Sequence, residues 1–270
     1  MKKWTIFPFA LVLGLTLSPS ASAQRSSSND TCRDQEWGRD REGACEIRDY
    51  TVPASGATLS VNAEPNGGIN VEGSQRMDVL VRAKVVTTAD TQEAARALLS
   101  RVVVTATADR VSADGPGRDG DHESWSVSYR ILVPVRTPLS LRSTNGGISI
   151  DNVVSQVDLR TVNGGVNLTR MGGDVKGRTS NGGINVMLDG STWDGGGLDL
   201  ETSNGGVTLA IPRAYSAHLE TGTVNGGLRI DFPVTVSGRI GKSFSTDLGS
   251  GGPTLKAMTS NGGVTIKQRE

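Results

Sequence analysis

The chain has 270 residues, with 28 basic and 28 acidic side chains and no formal net charge at pH 7. Nucleic-acid-binding domains are usually strongly basic, so this balance argues against a nucleic-acid partner. Two cysteines and two histidines are too few for a zinc site of the usual Cys and His type, and they offer few bases for a nucleophilic triad. Composition therefore favours a non-catalytic protein without a metal or other cofactor.

The first 23 residues have the pattern of a secretory signal peptide. Lys2 and Lys3 precede an apolar run from Trp4 to Leu17, and Ala21-Ser22-Ala23 is a small-residue cleavage site. No later stretch is long and apolar enough to span a bilayer. We therefore expect a mature chain that begins at Gln24 and is exported to the periplasm or the cell exterior.

Cys32 and Cys45 follow the signal closely and are the two cysteines of the chain. In an exported protein, a disulfide is the economical interpretation. It would close a loop of about 14 residues and stabilise the fold by roughly 3 kcal/mol in the chain-entropy model. The alternative is a lipid-modified Cys32, which the polar stretch between Ala23 and this residue disfavours.

An internal repeat dominates the rest of the chain. The tripeptide Asn-Gly-Gly begins at Asn66, Asn145, Asn163, Asn181, Asn204, Asn225 and Asn261. The basic period is about 18 residues, with insertions, and the longest late step contains Ser250-Gly251-Gly252, which predicts one irregular coil there. Such a period indicates a repeat architecture.

Each tripeptide lies between two short segments in which apolar and polar residues alternate, as in strands with one buried face. Two topologies fit. Asn-Gly is the strongest signal for a two-residue hairpin turn, which would give an antiparallel meander. The constant spacing and apolar phase instead favour a parallel solenoid, because each strand can then stack on its equivalent one coil away, about 4.8 Å distant.

In a solenoid, the repeated asparagines would form a ladder at one corner, with side-chain amides bonded along the stack. We expect the glycines to form the bend with positive φ, which β-branched residues disfavour. Substitution of Gly182 by Val should then be costly, and the same change at Gly115 mild. A hexapeptide helix needs an apolar residue every six, and a calcium-binding nonapeptide roll needs a regular Asp, so neither pattern fits.

The segment between the first two repeats differs in character. Residues 77–86 alternate as a strand, Asp90-Thr91-Gln92-Glu93 is a capping-box pattern that opens a helix through Leu99, and residues 102–108 and 124–134 return to strand. We divide the chain into a signal peptide (1–23), a cysteine-containing segment (24–49), a first coil with its insertion (50–138) and solenoid repeats (139–270), with the last two forming one domain.

The chain has, in order, a coil at Asn66-Gly67-Gly68, a strand, one helix over residues 93–99, the strand end at Val133-Pro134 and serial Thr-x-Asn-Gly-Gly coils. In this order, these features resemble the bacterial putative-adhesin family of β-strand-repeat envelope proteins, also called toastrack domains. The likeness covers about residues 50–267. It implies an all-β fold, a right-handed β-helix-like parallel solenoid with one inserted α-helix, located at the cell envelope and with no catalytic residues to transfer.

Three arginines stand three positions before the asparagine of successive coils: Arg142, Arg160 and Arg178, followed by Glu201. Stacking would place their like charges in one column, for which Asp158 and Asp199 can compensate. One interpretation is a solvated, salt-bridged face that contributes little energy. The other is a polyanion-binding stripe for an acidic polymer or anionic lipid headgroups.

Two further groups have ordinary explanations. Asp119, Asp121 and Glu123 alternate beside His122 in a Gly-rich segment, which predicts a solvated loop, because three acids are too few for a full calcium shell. The alternative is a weak site for a hard cation. His218 lies between Ala217 and Leu219, which should point to the core, so its own side chain should be exposed.

The sequence favours an exported, non-catalytic envelope protein whose coils present a rigid surface to another protein or a polysaccharide. One alternative is a polysaccharide-acting β-helix enzyme, which would need a carboxylate pair, or a Lys or Arg base grouped with acids, in a groove. Another is a structural part of envelope stress sensing. Unpaired strand edges at the end coils leave the oligomeric state open.

Overall fold

The computed structural model describes residues 31, 32, 37, 41–117, 122–231 and 241–269. The expected signal peptide, Asp119 and Asp121 lie outside these residues. The described parts contain one helix, α1 (Gln92–Arg101), and twenty strands. The strands are β1 (Glu42–Pro53), β2 (Leu59–Asn62), β3 (Ile69–Ser74), β4 (Asp78–Ala89), β5 (Val103–Ala106), β6 (Arg110–Asp114), β7 (Ser124–Pro134), β8 (Leu139–Ser143), β9 (Ile148–Asp151), β10 (Val154–Asn163), β11 (Val166–Thr169), β12 (Gly172–Asn181), β13 (Ile184–Met187), β14 (Gly197–Asn204), β15 (Val207–Pro212), β16 (Ala217–Asn225), β17 (Leu228–Asp231), β18 (Ser243–Leu248), β19 (Thr254–Asn261) and β20 (Val264–Arg269).

The strands form two ten-stranded sheets. The first has the order β1-β4-β7-β3-β9-β11-β13-β15-β20-β17, and the second has the order β18-β16-β19-β14-β12-β10-β8-β2-β6-β5. Each Asn-Gly-Gly joins a strand of the second sheet to a strand of the first, and we name this coil by its asparagine. Equivalent strands of neighbouring coils pair in parallel, so that Asn163 lies opposite Asn181 and Val166 opposite Ile184. The predicted parallel solenoid is confirmed, and the meander is wrong for these coils.

The core lies between the two sheets and follows the predicted alternation. The apolar residues one and three positions after the second glycine are buried in six coils, whereas Leu228 and Ile230 of the Asn225 coil are half-buried. The buried pairs are Ile69 and Val71, Ile148 and Ile150, Val166 and Leu168, Ile184 and Val186, Val207 and Leu209, and Val264 and Ile266. Each such side chain stabilises the fold by about 1.5–3 kcal/mol.

The asparagines form the predicted corner ladder. In every step, Nδ2 of one asparagine donates to Oδ1 of the asparagine that precedes it in the stack, at 2.8–3.0 Å. The order of the ladder is Asn66, Asn145, Asn163, Asn181, Asn204, Asn261 and Asn225. Repeated amide bonds of this kind hold neighbouring coils in one register.

The first glycine of each motif is required for close stacking, and the expectation of positive φ is wrong for the motif glycines. Positive φ occurs elsewhere, for example at Gly173 and Gly251, but not at Gly182. A Cβ on Gly182 would collide with the carbonyl group of Gly164 in the neighbouring coil. Gly115 was expected to tolerate substitution, yet a Cβ there would lie 2.6 Å from the Trp125 ring.

The insertion closes one end of the stack. Strand β7 pairs parallel with β3, and β4 pairs antiparallel with β7, so both extend the first sheet beyond β3. The β5–β6 hairpin extends the second sheet beyond β2, with β6 parallel to β2. The helix begins one residue later than the capping box implied, because Thr91 is the N-cap and accepts a hydrogen bond from the Ala94 amide. Arg48 of β1 holds the other helix end by donating to the carbonyls of Leu99 and Val102.

The Asn261 coil, which comes last in the sequence and is called the last coil below, does not lie at the end of the stack. Strands β19 and β20 of the Asn261 coil lie between the Asn204 coil and the Asn225 coil, and they pair in parallel with both. Ser250-Gly251-Gly252 therefore forms a turn, and the prediction of an irregular coil there is wrong. The preceding strand, β18, pairs antiparallel with β16 at the edge of the second sheet.

The predicted disulfide is present between Cys32 and Cys45, whose Cα atoms are 5.8 Å apart. Cys45 belongs to β1, which pairs along its whole length with β4. The link therefore ties the chain before residue 41 to an edge strand of the first sheet. Strand β1 also crosses the boundary that we placed between residues 49 and 50.

Candidate ligand-binding face

The outer face of the second sheet carries the three arginines in one column. Arg160 lies opposite Arg142 on one side and opposite Arg178 on the other, and Arg178 lies opposite Glu201. The column continues to Met258, which the inserted last coil places beside Glu201. All three arginine side chains are exposed, as the strand alternation requires.

The arginines differ in their ion pairs. Arg142 lies 3.4 Å from Asp158, and Arg178 lies 3.2 Å from Glu201. Within the described residues Arg160, the central member, has no such carboxylate partner. Exposed ion pairs contribute little to stability, so Arg142 and Arg178 can exchange their carboxylates for those of a ligand at small cost.

A second column, two residues earlier in each strand, alternates in charge. Its members, in stack order, are Asp158, Lys176, Asp199, Lys256 and Glu220. Opposite charges directly across parallel strands stabilise each other, and they leave this column almost neutral. Sequence analysis identified its two aspartates but missed the lysines, whose common offset from the asparagine could have revealed them.

Two cavities lie over these columns. The larger, of about 460 Å³, is lined by Arg160, Arg178, Glu201, Lys256 and Met258 together with small side chains of the adjacent column. The second, of about 360 Å³, is lined by Arg142, Arg160 and Arg178 with Asp158, Lys176 and Asp199. Arg160 and Arg178 line both, so the arginine column runs along a concave, polar surface.

His218 is part of a polar cluster on β16 and β18 that shares Glu220 with the end of the second column. Its Nδ1 lies 2.7 Å from an Asp247 oxygen, and its Nε2 lies 3.2 Å from Ser245 Oγ and 3.5 Å from a Glu220 oxygen. The hydrogen bond to Asp247 raises the pKa of His218, which favours the imidazolium. The cluster lines neither cavity, and its hydrogen bonds join β16 to β18.

The other candidates remain structural. The asparagine ladder occupies the corner, away from the arginine column. His122 lies 2.8 Å from Asp90, at an exposed position. Among the residues that the structure describes, no cluster of His, Cys, Asp and Glu could hold a metal ion. Within the same ranges, no helix has the length and hydropathy needed to cross a bilayer.

Comparison with known proteins gives a family match and a set of similar solved structures. A sequence model of the family described as Toastrack DUF4097 matches residues 118–267. No curated protein sequence matches the chain significantly. The fold is similar to a putative cell adhesion protein from Clostridium sporogenes, at 14% identity and a TM-score of 0.48, covering 84% of this chain and 100% of that one. It is also similar to a putative adhesin from Bacteroides fragilis, at 15% identity and a TM-score of 0.40, covering 84% and 97%.

Proposed function

The chain belongs to the Toastrack DUF4097 family, and on that premise we propose that it is a non-catalytic, exported cell-envelope protein that binds an anionic envelope polymer. The observation that supports this function most directly is the arginine column beside two cavities. The disulfide supports export, because disulfides persist in oxidising compartments. The partner is a polysaccharide or an acidic protein segment of the envelope.

The spacing of the column defines the chemistry of the ligand. Parallel strands lie about 4.8 Å apart, so the outer two arginines are separated by about 10 Å. Guanidinium groups bind carboxylates and phosphates with two parallel hydrogen bonds, and Arg160 is free of an acidic partner among the described residues. A linear polymer that runs along the stack can therefore meet the three arginines with successive anionic groups.

The experiment compares two variants of equal charge change. One replaces Arg142, Arg160 and Arg178 with Gln. The other replaces Arg213, Arg229 and Lys267, which are exposed elsewhere, with Gln. Binding of the purified mature protein to isolated envelope fractions is measured by sedimentation between 50 and 500 mM salt, a range over which the Debye length falls from about 14 to 4 Å.

We expect the first variant to lose at least tenfold in affinity and most of its salt dependence, whereas the second keeps both. Equal binding by the two variants and wild type rejects the arginine column as the binding site. Equal losses in both variants mean that only net charge matters, which also rejects it.

The runner-up is a polysaccharide-acting enzyme. The larger cavity favours it, because Lys256, Glu201 and two arginines meet there, and a base grouped with acids is what such chemistry needs. Depolymerisation of envelope polysaccharide by the wild type, lost on Lys256→Met, would establish the enzyme in place of the binding protein. Binding without any change in polymer length supports the non-catalytic function.

A further inference from the structure

The position of the last coil in the stack differs from its position in the sequence. Coils from Asn66 to Asn204 stack in sequence, but no strand of the Asn225 coil pairs with a strand of the Asn204 coil, because β19 and β20 separate them in both sheets. The final segment therefore fills a slot whose two walls were synthesised before it. Each wall presents a strand edge in each sheet.

The two walls are in register with each other. Leu198 and Leu219 both lie opposite Leu255, and Asn204 and Asn225 both lie opposite Asn261. Without the last coil, the walls can stack directly or accept another strand–corner–strand segment. The link between them, residues 213–216, crosses two coil steps, about 10 Å, which four residues can span.

The last coil reaches the slot through a glycine hinge. The segment 249–253 joins β18 to β19, and Gly249, Gly251 and Gly252 have positive φ there. The Gly251 amide donates to the Leu248 carbonyl at 2.9 Å, which closes the turn. A hinge of this kind can open by rotation about a few glycine dihedrals, since glycine adopts both signs of φ at little cost.

We propose that the last coil is exchangeable and that the slot binds the last coil of a second copy of this chain, which gives a coil-swapped dimer. A second copy supplies everything that the slot requires. Its last coil has two strands that pair with both walls of the slot and an asparagine that continues the ladder. It also has a glycine, Gly262, at a position where a Cβ would collide with Gly205. Exchange of identical elements is a low-cost route to closed dimers.

The short hinge favours the chain's own coil, because it keeps that coil at a high effective concentration. Exchange therefore takes place during folding at high protein concentration, before the slot is filled. Gly251→Val favours it further, since valine resists the positive φ of the closed turn while the space around Gly251 accepts a Cβ. Gly56→Val is the control, with positive φ and open space away from the hinge.

The test uses the full mature chain in two singly substituted copies with different tags. One carries Glu201→Cys and the other Met258→Cys, because these positions face each other across β14 and β19 on the outer face. The copies are refolded together at low and high concentration, and mixed disulfides are identified by mass spectrometry. In the control pair, Met187→Cys on the other sheet replaces Met258→Cys.

We expect the yield of the mixed disulfide between Glu201→Cys and Met258→Cys to rise with protein concentration, and to rise at least tenfold with Gly251→Val. The Met187→Cys pair should give no mixed disulfide. Gly56→Val should leave the yield at the wild-type level. Monomers alone at every concentration overturn the proposal. Dimers without the mixed disulfide also overturn it, because they use another surface. If Gly251→Val does not fold, the co-refolding experiment with the wild-type hinge at low and high concentration still distinguishes these outcomes.

Discussion

At the scale of single residues, the two glycines of each motif differ in how closely they pack against the adjacent coil. In six of the seven motifs, the first packs against the first glycine of an adjacent coil so closely that no Cβ fits, and at Gly67 the close neighbour is the Val127 carbonyl. The second glycine is less crowded. A Cβ at Gly147, Gly165, Gly183 or Gly206 would lie 3.1–3.3 Å from a carbonyl oxygen of the adjacent coil, and at Gly227 it would meet nothing within 4 Å. The first glycine therefore sets the spacing of the stack at the corner.

This difference predicts the effect of adding one methyl group. Gly182→Ala should lower the free energy of unfolding by about 1–3 kcal/mol, because the backbone of two coils must move apart. Gly227→Ala should be neutral or stabilising by up to about 1 kcal/mol, since nothing lies within 4 Å and alanine reduces the entropy of the unfolded chain. Urea unfolding measures both, and equal midpoints would contradict the stacking argument.

A second residue prediction concerns His218 and pH. Its folded-state pKa is raised above the ordinary value of 6.5, first by the hydrogen bond to Asp247 and then by the charges of Asp247 and Glu220. Its stabilising contribution is therefore fully present below about pH 6.5 and is lost as pH rises through the folded-state pKa. The thermal midpoint should fall over that range in wild type and fall less in His218→Gln. A decrease of the same size in the variant would assign the effect to another group.

At the scale of elements, hydroxyl groups join neighbouring coils below the asparagine ladder. Two residues before the asparagine, a buried Ser or Thr donates to the carbonyl of the first glycine in the adjacent coil, at 2.7–2.8 Å. The donors are Ser143, Thr161, Thr179, Thr202, Thr223 and Thr259. The bond satisfies a carbonyl at the turn between the two strands of a coil.

The contribution of this hydrogen bond to stability can be tested at Thr179, in the middle of the stack. Thr179→Val keeps the shape but leaves the Gly164 carbonyl without its donor, so stability should fall by about 1–3 kcal/mol. Thr179→Ser retains the hydroxyl and should recover most of the loss, measured by urea unfolding. A Val variant as stable as wild type, or a Ser variant as unstable as the Val variant, would show that the hydroxyl does not contribute to stability.

At the scale of the whole molecule, the two ends of the stack are closed differently. One end is covered by the antiparallel strands β1 and β4 and by the β5–β6 hairpin. At the other end, β18 lies at the edge of the second sheet, and among the described residues β17 is the edge strand of the first sheet. Added antiparallel strands therefore extend both sheets at the first end and the second sheet at the other.

The disulfide belongs to the covered end. Replacing Cys32 and Cys45 with Ser should lower the free energy of unfolding by up to about 3 kcal/mol, because the unfolded chain regains the freedom of a short loop. Denaturant unfolding measures the loss, with reduced wild type as the matched comparison. Thiol labelling of the unreduced mature protein should find no free cysteine, and two labelled cysteines per chain would refute the link.

The period, the strand alternation and the asparagine column could be read from the sequence, because each depends on residues close together in the chain. The solenoid followed from constant spacing, and the arginine column followed from the solenoid. The role of Gly182 could not be read, since a Cβ is excluded there by a carbonyl 18 residues away and not by its own φ.

Only the tertiary structure decided the order of the coils. The stacked coils share one register and one corner, so the local repeat pattern does not specify which coils are neighbours. The choice of the Asn261 coil as neighbour of the Asn204 coil depends on the β16–β18 pairing and the glycine turn that follows it. That choice also placed Lys256 beside Asp199 and Met258 beside Glu201. The offsets of Lys256 and Met258 from Asn261 give their columns, but their neighbours in the candidate site depend on the order of the coils.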